Sequence, residues 1–124
     1  MMYSVIIIED NKLNSKLAQK VLESANYSVF LFDSAEAALD NIKRIQPDII
    51  LLDLQLPGIS GYDFARQVRR FEHFKNIPLV AISANVREED KTKAYDSGCD
   101  GFIEKPVNTR TLAAEVQSFI EGKP

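Results

Sequence analysis

The sequence predicts an α/β protein: a doubly wound parallel sheet of five strands, each followed by a helix. Two observations predict it. Short apolar runs rich in Val, Ile, Leu and Phe recur five times, and each is followed by a stretch with helical spacing or helical end signals. The first run, "YSVIIIE" from Tyr3 to Glu9, is continuous and β-branched, the mark of a strand covered on both faces. Strands that alternate with helices form parallel sheets, because each crossover is right-handed and packs a helix back onto the sheet.

The elements follow in order. After the first strand, Leu13, Leu17, Val21 and Leu22 recur at helical spacing. "YSVFLF", Tyr27 to Phe32, is the second strand. Ser34 to Ile45 is helical, with Asp33 or Ser34 as N-cap and Leu39 and Ile42 inward. Pro47 breaks that helix and "DIILLD", Asp48 to Asp53, is the third strand. Ser60 and Asp63 suit a helix start, and Phe64, Val68 and Phe71 share a face. "PLVAIS", Pro78 to Ser83, is the fourth strand. Arg87 to Ser97 is a short polar helix that Gly98 stops. "GFIEK", Gly101 to Lys105, is the fifth strand. Asn108 can cap the last helix, where Leu112, Val116, Phe119 and Ile120 face inward. This series fits the flavodoxin-like (βα)5 arrangement with strand order 2-1-3-4-5, in which ligands sit at the carboxyl ends of strands one and three.

Bulk properties narrow the function. The 124 residues fit one domain, 1–124, and 45% apolar content can fill its core. A net charge of −3 gives no electrostatic reason to expect nucleic acid as a partner. The lone cysteine, Cys99, can form no intrachain disulfide and reads as a small buried hydrophobe. No apolar run is long enough for a membrane span, and the N-terminus is too short and acidic for a secretory signal, so a cytoplasmic location is expected.

Chemistry gathers where the strands end. Asp53 closes the third strand, so a segment built for burial carries its carboxylate to the lip of the sheet. Glu9 and Asp10 close the first, Ser83 the fourth and Lys105 the fifth. Strict alternation sends Glu9 and Asp10 to opposite faces, and both reach the crevice only if the backbone turns there. Three neighbouring carboxylates repel unless neutralised, and Mg2+ favours a few carboxylates with waters and phosphate oxygens. With Lys105 alongside, such a pocket attracts a phosphoryl group, and Asp53 is a possible nucleophile. Ser83 could hydrogen-bond a phosphoryl oxygen. Each residue alone also has a plain reading as a helix cap, a loop hydroxyl or a surface lysine. Their coincidence at four strand ends points to a site. Asp33 and Asp48 read as caps or solvated acids, "REED" from Arg87 to Asp90 as a solvated first turn, and His73 as exposed packing at a helix end.

In these residues the chain resembles the receiver domain of two-component response regulators. "IIIEDN" is similar to the family's acidic pair, and "LLDLQLPGISG" to its phosphorylation segment, with Pro57 and Gly61 at the usual spacing. "AISA" is similar to its hydroxyl motif and "GFIEKP" to its lysine–proline pair. The resemblance covers almost the whole chain. It implies that Asp53 accepts a phosphoryl group from a histidine kinase or phosphotransfer protein. It further implies Mg2+ on Glu9, Asp10, Asp53 and the backbone carbonyl of Gln55, with Ser83 and Lys105 on the phosphoryl group. Ser83 and Phe102 would be the switch residues, and the Lys105–Pro106 peptide would be cis. Phe102 stands where tyrosine is frequent, and Ser83 where threonine is commoner. Gln55 and Asn85 would flank the site, and Tyr62, Ala84 and Asn85 would line its rim.

The implied output is partner binding by the fourth helix, fifth strand and fifth helix, roughly Arg87 to Gln117, with no external turnover substrate beyond the domain's own phosphoryl transfer and autodephosphorylation. The chain ends at Pro124, just past the last helix, which suggests a stand-alone receiver, although an excised domain is an alternative. A monomer or weak dimer is expected. "EDNKLNSKL" and "SGCDGFIEKPV" are also similar to cell-cycle receivers of the DivK kind and to receivers within hybrid kinases. Two rivals fit less well. A flavin-binding electron carrier needs a phosphate-cradling loop where this chain has "EDNKLN". An Mg2+-dependent phosphohydrolase usually places a second acid where this chain has Gln55.

Overall fold

The computed structural model describes residues 2–56, 58–84 and 87–122. They form strands β1 (Ser4–Ile8), β2 (Ser28–Phe32), β3 (Ile49–Asp53), β4 (Leu79–Ser83) and β5 (Gly101–Glu104). The helices are α1 (Lys12–Ser24), α2 (Ala35–Ile45), α3 (Gly61–Arg70), α4 (Glu88–Ser97) and α5 (Leu112–Glu121). All strand pairs are parallel and the order is β2-β1-β3-β4-β5, as expected. A short 3-10 turn at Glu72–Phe74, which the sequence reading lacked, precedes β4.

Alternation along the strands divides the core in two. Ile6, Ile8, Ile50, Leu52, Leu79 and Ala81 pack with α2, α3 and α4, around Ile42, Phe64 and Val68. Val5, Ile7, Ile49, Leu51, Val80, Ile82 and Ile103 pack with α1 and α5, around Leu22, Leu112 and Val116. Both faces of the sheet are therefore dry, which accounts for the unbroken apolar runs.

The helix ends follow side-chain chemistry. Asn11 caps α1 through Asn14 N at 3.0 Å, Ser34 caps α2 through Ala37 N at 3.1 Å, and Ser60 caps α3 through Asp63 N at 3.2 Å. Gly98 ends α4 at φ +117°, a conformation that L side chains rarely adopt. Arg69, on α3, ties this end down. Its guanidinium donates to the carbonyls of Gly98 (2.9 Å), Phe74 (2.8 Å) and Ile77 (2.7 Å) and pairs with Asp100 at 2.7 Å.

Three expectations are corrected. Leu13 and Leu17 do not face the sheet: they are 83% and 45% exposed, and Ser15, Ala18 and Leu22 pack inward instead. Those small residues let α1 lie close to the strands. Asn108 does not cap the last helix, which begins at Leu112 after Thr111; its side chain accepts from Arg110 N at 2.9 Å in the preceding turn. Asp48 is neither a helix cap nor simply solvated, because it accepts from Ser4 N at 2.7 Å and ties the start of β1 to the loop before β3. Of the two N-cap candidates for α2 it is Ser34 that caps, and Asp33 is exposed, as a solvated acid should be.

Candidate functional site

Strand parity assembles the site. Ile7, Leu51 and Ile103 all lie on the α1/α5 face. Glu9, Asp53 and Lys105 stand two positions beyond them, so a period of two carries all three side chains to that face. Lys105 Nζ lies 2.8 Å from Glu9 Oε1 and 3.0 Å from Asp53 Oδ2. Both carboxylates are buried. The second oxygen of each accepts a backbone amide, Gln55 N on Asp53 Oδ1 at 2.9 Å and Asn11 N on Glu9 Oε2 at 3.2 Å.

Asp10 joins from the exposed edge. The chain leaves β1 after Ile8 and turns before α1, and this turn overrides the alternation that would have sent Asp10 away. Carboxylate oxygens of Glu9, Asp10 and Asp53 all lie within 4.8 Å of one another. Three acids against one ammonium leave an excess of anionic oxygen. An all-oxygen donor set of this kind suits a small hard cation.

Charge and burial act on each other here. Burial pushes the Glu9 carboxyl above its ordinary value, and the close approach of the Asp53 carboxyl adds to the rise, against the pull of Lys105 and the Asn11 amide. For Lys105, burial alone would lower the pKa. Hydrogen bonds to Glu9 and Asp53 more than offset it, and the ammonium is held above its ordinary range.

Close backbone packing fixes Asp53. A Cβ on Gly61, at the start of α3, would fall 2.8 Å from Leu54 Cα and 2.9 Å from the Asp53 carbonyl oxygen. Glycine therefore lets α3 begin directly against the end of β3. At the neighbouring strand end, Lys105 N donates to the Ser83 carbonyl at 2.9 Å, and the Lys105–Pro106 peptide is cis. Ser83, 1% exposed, has the parity of Leu79 and Ala81, the α2–α4 face. Phe102 pairs with Ala81 across β4 and β5 and is half-buried against that same core, with the Lys91 ammonium 6.0 Å from its ring. Ser83 and Phe102 thus belong to one side of the sheet and the carboxylates to the other.

Gln55 and Ala84 are exposed at the opening over the carboxylates. Tyr62 is not in that wall; it packs on the α2–α4 core beneath the Lys93 ammonium, 4.4 Å from its ring. Pro57 and Asn85 lie outside the described residues. Sequence reasoning missed Asn11, whose side chain caps α1 while its amide holds Glu9; an Asn one residue after an acidic pair was the available signal. It also missed Asn14 and an apolar cleft beside Lys105, for which the outward Leu17 was the clue.

Comparison with known proteins agrees with this geometry. Residues 5–117 match the family model described as response regulator receiver domain. The polar-differentiation response regulator DivK of Brucella ovis is 32% identical over 117 residues, covering 94% of this chain and 95% of the relative. The receiver domain of the sensor histidine kinase PA1611 of Pseudomonas aeruginosa, described with a magnesium ion coordinated in its active site cleft, superposes with a TM-score of 0.89 at 27% identity, covering 98% of this chain and 99% of that one. The chemotaxis response regulator CheY4 of Vibrio cholerae shares the fold, with a TM-score of 0.91 at 24% identity over 96% of this chain and 99% of that one. The parallel sheet in 2-1-3-4-5 order, the acid cluster on its carboxyl edge and these matches converge: the chain belongs to the family of response regulator receiver domains of two-component signalling.

Proposed function

We propose that this chain is a phosphorylation-driven signalling switch, a single receiver domain over 1–124, in which Asp53 is the phosphoacceptor. The observation that carries the reading is the Asp53 carboxylate set at a strand end between an ammonium and two further acids. The residues fit Mg2+ by donor type, with Glu9, Asp10, Asp53 and the Gln55 carbonyl as the groups that would hold it. When bound, Mg2+ supplies the positive charge that lets an anionic phosphoryl group approach three carboxylates. An Asp53 oxygen attacks phosphorus, the bond to the donor breaks, and its electron pair leaves with the donor group, giving an acyl phosphate. Lys105 offsets charge on the transferred oxygens, and the Ser83 hydroxyl donates to one of them. The same pocket admits water for autodephosphorylation.

Donors in this reading are a histidine kinase or a phosphotransfer protein, which agrees with the DivK relationship. The new dianion draws Ser83 across the sheet edge. Phe102, on the same side, follows into the space vacated, and the face formed by α4, β5 and α5 changes for a downstream protein to read. A full switch from 1:99 to 99:1 needs a differential of about 5.5 kcal/mol between the two states. The domain acts in the cytoplasm as a monomer or weak dimer, without nucleic acid.

The test is incubation with acetyl phosphate followed by intact mass. Wild type should gain one phosphoryl group with Mg2+ and almost none in chelator, and Asp53→Ala should gain none. Equal labelling of both proteins would overturn the assignment.

A further inference from the structure

We propose that the apolar cavity beside the carboxylate cluster seats the leaving group of small acyl phosphates, so that donors with a short apolar chain outperform acetyl phosphate. The inference rests on Asp53 being the phosphoacceptor and adds the class of donor.

Two cavities meet at the site. One is polar and opens past Asp10, Asn11 and Gln55. The other, about 220 Å³, is walled by Ile7, Leu17, Ala18, Ile82, Pro106 and Val107. Glu9, Asn14, Asp53, Ala84 and Lys105 belong to both, so the nucleophile and the ammonium stand at the partition. A molecule with an anionic phosphoryl end and an apolar end, separated by a few atoms, matches this division. An acyl phosphate has that form.

Size favours such an occupant. An apolar cavity of about 150 Å³ admits benzene. The present cleft therefore holds a chain of roughly four to six carbons. It falls below the roughly 300 Å³ at which sites for drug-sized ligands begin. Leu17, 45% exposed at its mouth, loses apolar exposure when the cleft is filled.

The step balances without an added reactant. An Asp53 carboxylate oxygen bonds to phosphorus as the bond between phosphorus and the acyl oxygen breaks. The electron pair leaves on that oxygen, and the product is the free carboxylate. Its anionic end remains at the partition with Lys105, and its chain lies in the apolar cleft.

Butyryl phosphate carries two methylenes more than acetyl phosphate, and burying two methylenes corresponds to roughly tenfold. The full chain is incubated with MgCl2 and equal low concentrations of acetyl, butyryl or pentanoyl phosphate. Adduct formation is followed by intact mass, corrected for each donor's decay in buffer. The butyryl-to-acetyl rate ratio should be about ten in wild type and fall toward one in Leu17→Asp, which places a charge on the cleft wall. As a binding readout, butylphosphonate, which cannot transfer its phosphorus group, should shift the Leu17 and Val107 methyl resonances, and methylphosphonate should not. A ratio near one, or methyls unmoved by butylphosphonate, overturns the proposal and leaves the cleft to a partner's side chain; labelling by acetyl phosphate in the same experiment keeps the phosphoacceptor assignment standing. If no donor labels wild type, both readings fall.

Discussion

Lys105 Nζ and Asp53 Oδ2 lie 3.0 Å apart, brought together across 52 residues of sequence by two strands of one sheet. The ammonium also touches Glu9, so a single cation compensates two buried carboxylates. Removing it leaves both without a counter-charge. Lys105→Met is expected to lower stability by about 1–3 kcal/mol in chelator, less than for a fully buried pair because the lysine is partly solvated. The loss should shrink when MgCl2 is added, since without the competing ammonium the carboxylates hold the cation more tightly than in wild type and gain more stability from it by mass action. Asp10→Asn, at the exposed edge, should weaken that Mg2+ effect with little cost of its own. Urea midpoints in chelator and in MgCl2 check both variants. An equal loss for Lys105→Met in the two conditions would count against a shared electrostatic site.

Two glycines make contrasting predictions. A methyl at Gly61 would meet backbone, Leu54 Cα and the Asp53 carbonyl, which cannot yield without moving β3. A methyl at Gly101 would fall within the ring of Phe119, a side chain. Each alanine substitution is expected to cost about 1–3 kcal/mol. Phe119→Leu should recover much of the loss for Gly101→Ala and none of it for Gly61→Ala. A double-mutant cycle by urea denaturation reads the coupling, and equal rescue of both would contradict the packing described.

Arg69 carries the third prediction. Its guanidinium, 19% exposed, donates to four carbonyls, those of Phe74, Lys75 and Ile77 before β4 and that of Gly98 at the end of α4. Arg69→Met should cost about 2–4 kcal/mol, because several acceptors lose a charged donor together. Asp100→Asn keeps the oxygen that accepts from Leu79 N and loses only a half-exposed ion pair, so it should cost less than about 1 kcal/mol. Similar losses for the two variants would mean that the ion pair, and not the carbonyl set, holds this corner.

Cys99 should be chemically silent in the folded protein. It is 5% exposed, and burial pushes its thiol up to about 12 from an ordinary 9.0. At pH 8 that shift alone leaves roughly 10³-fold less thiolate, the reactive form. Alkylation of native protein at pH 8 should run at least about 100-fold slower than in denaturant. Comparable rates would show that the thiol is open to solvent.

Much of this architecture was legible because both faces of the sheet are dry. Strands such as Ile49–Asp53 read as unbroken apolar runs, and a period of two carries Glu9, Asp53 and Lys105 to one side. Other features depend on contacts that no local pattern encodes. Spacing cannot say which of two stripes on α1 faces inward, and the small residues Ser15 and Ala18 won over Leu13 and Leu17 because they permit closer packing. Asp48 and Arg69 act on groups brought near only by folding, Ser4 N in one case and the Gly98 carbonyl and Asp100 carboxylate in the other. Asp10 reaches the cluster through a turn that alternation alone would deny.

The central claim is that Asp53 carries the phosphoryl group. Its most direct test is to label the protein with acetyl phosphate and Mg2+, reduce the acyl phosphate with borohydride, and map the modified residue by peptide mass spectrometry. The account predicts conversion of Asp53 to homoserine as the major product. Recovery of unmodified Asp53 alongside a reduced site at Glu9, Asp10 or another acid would contradict it.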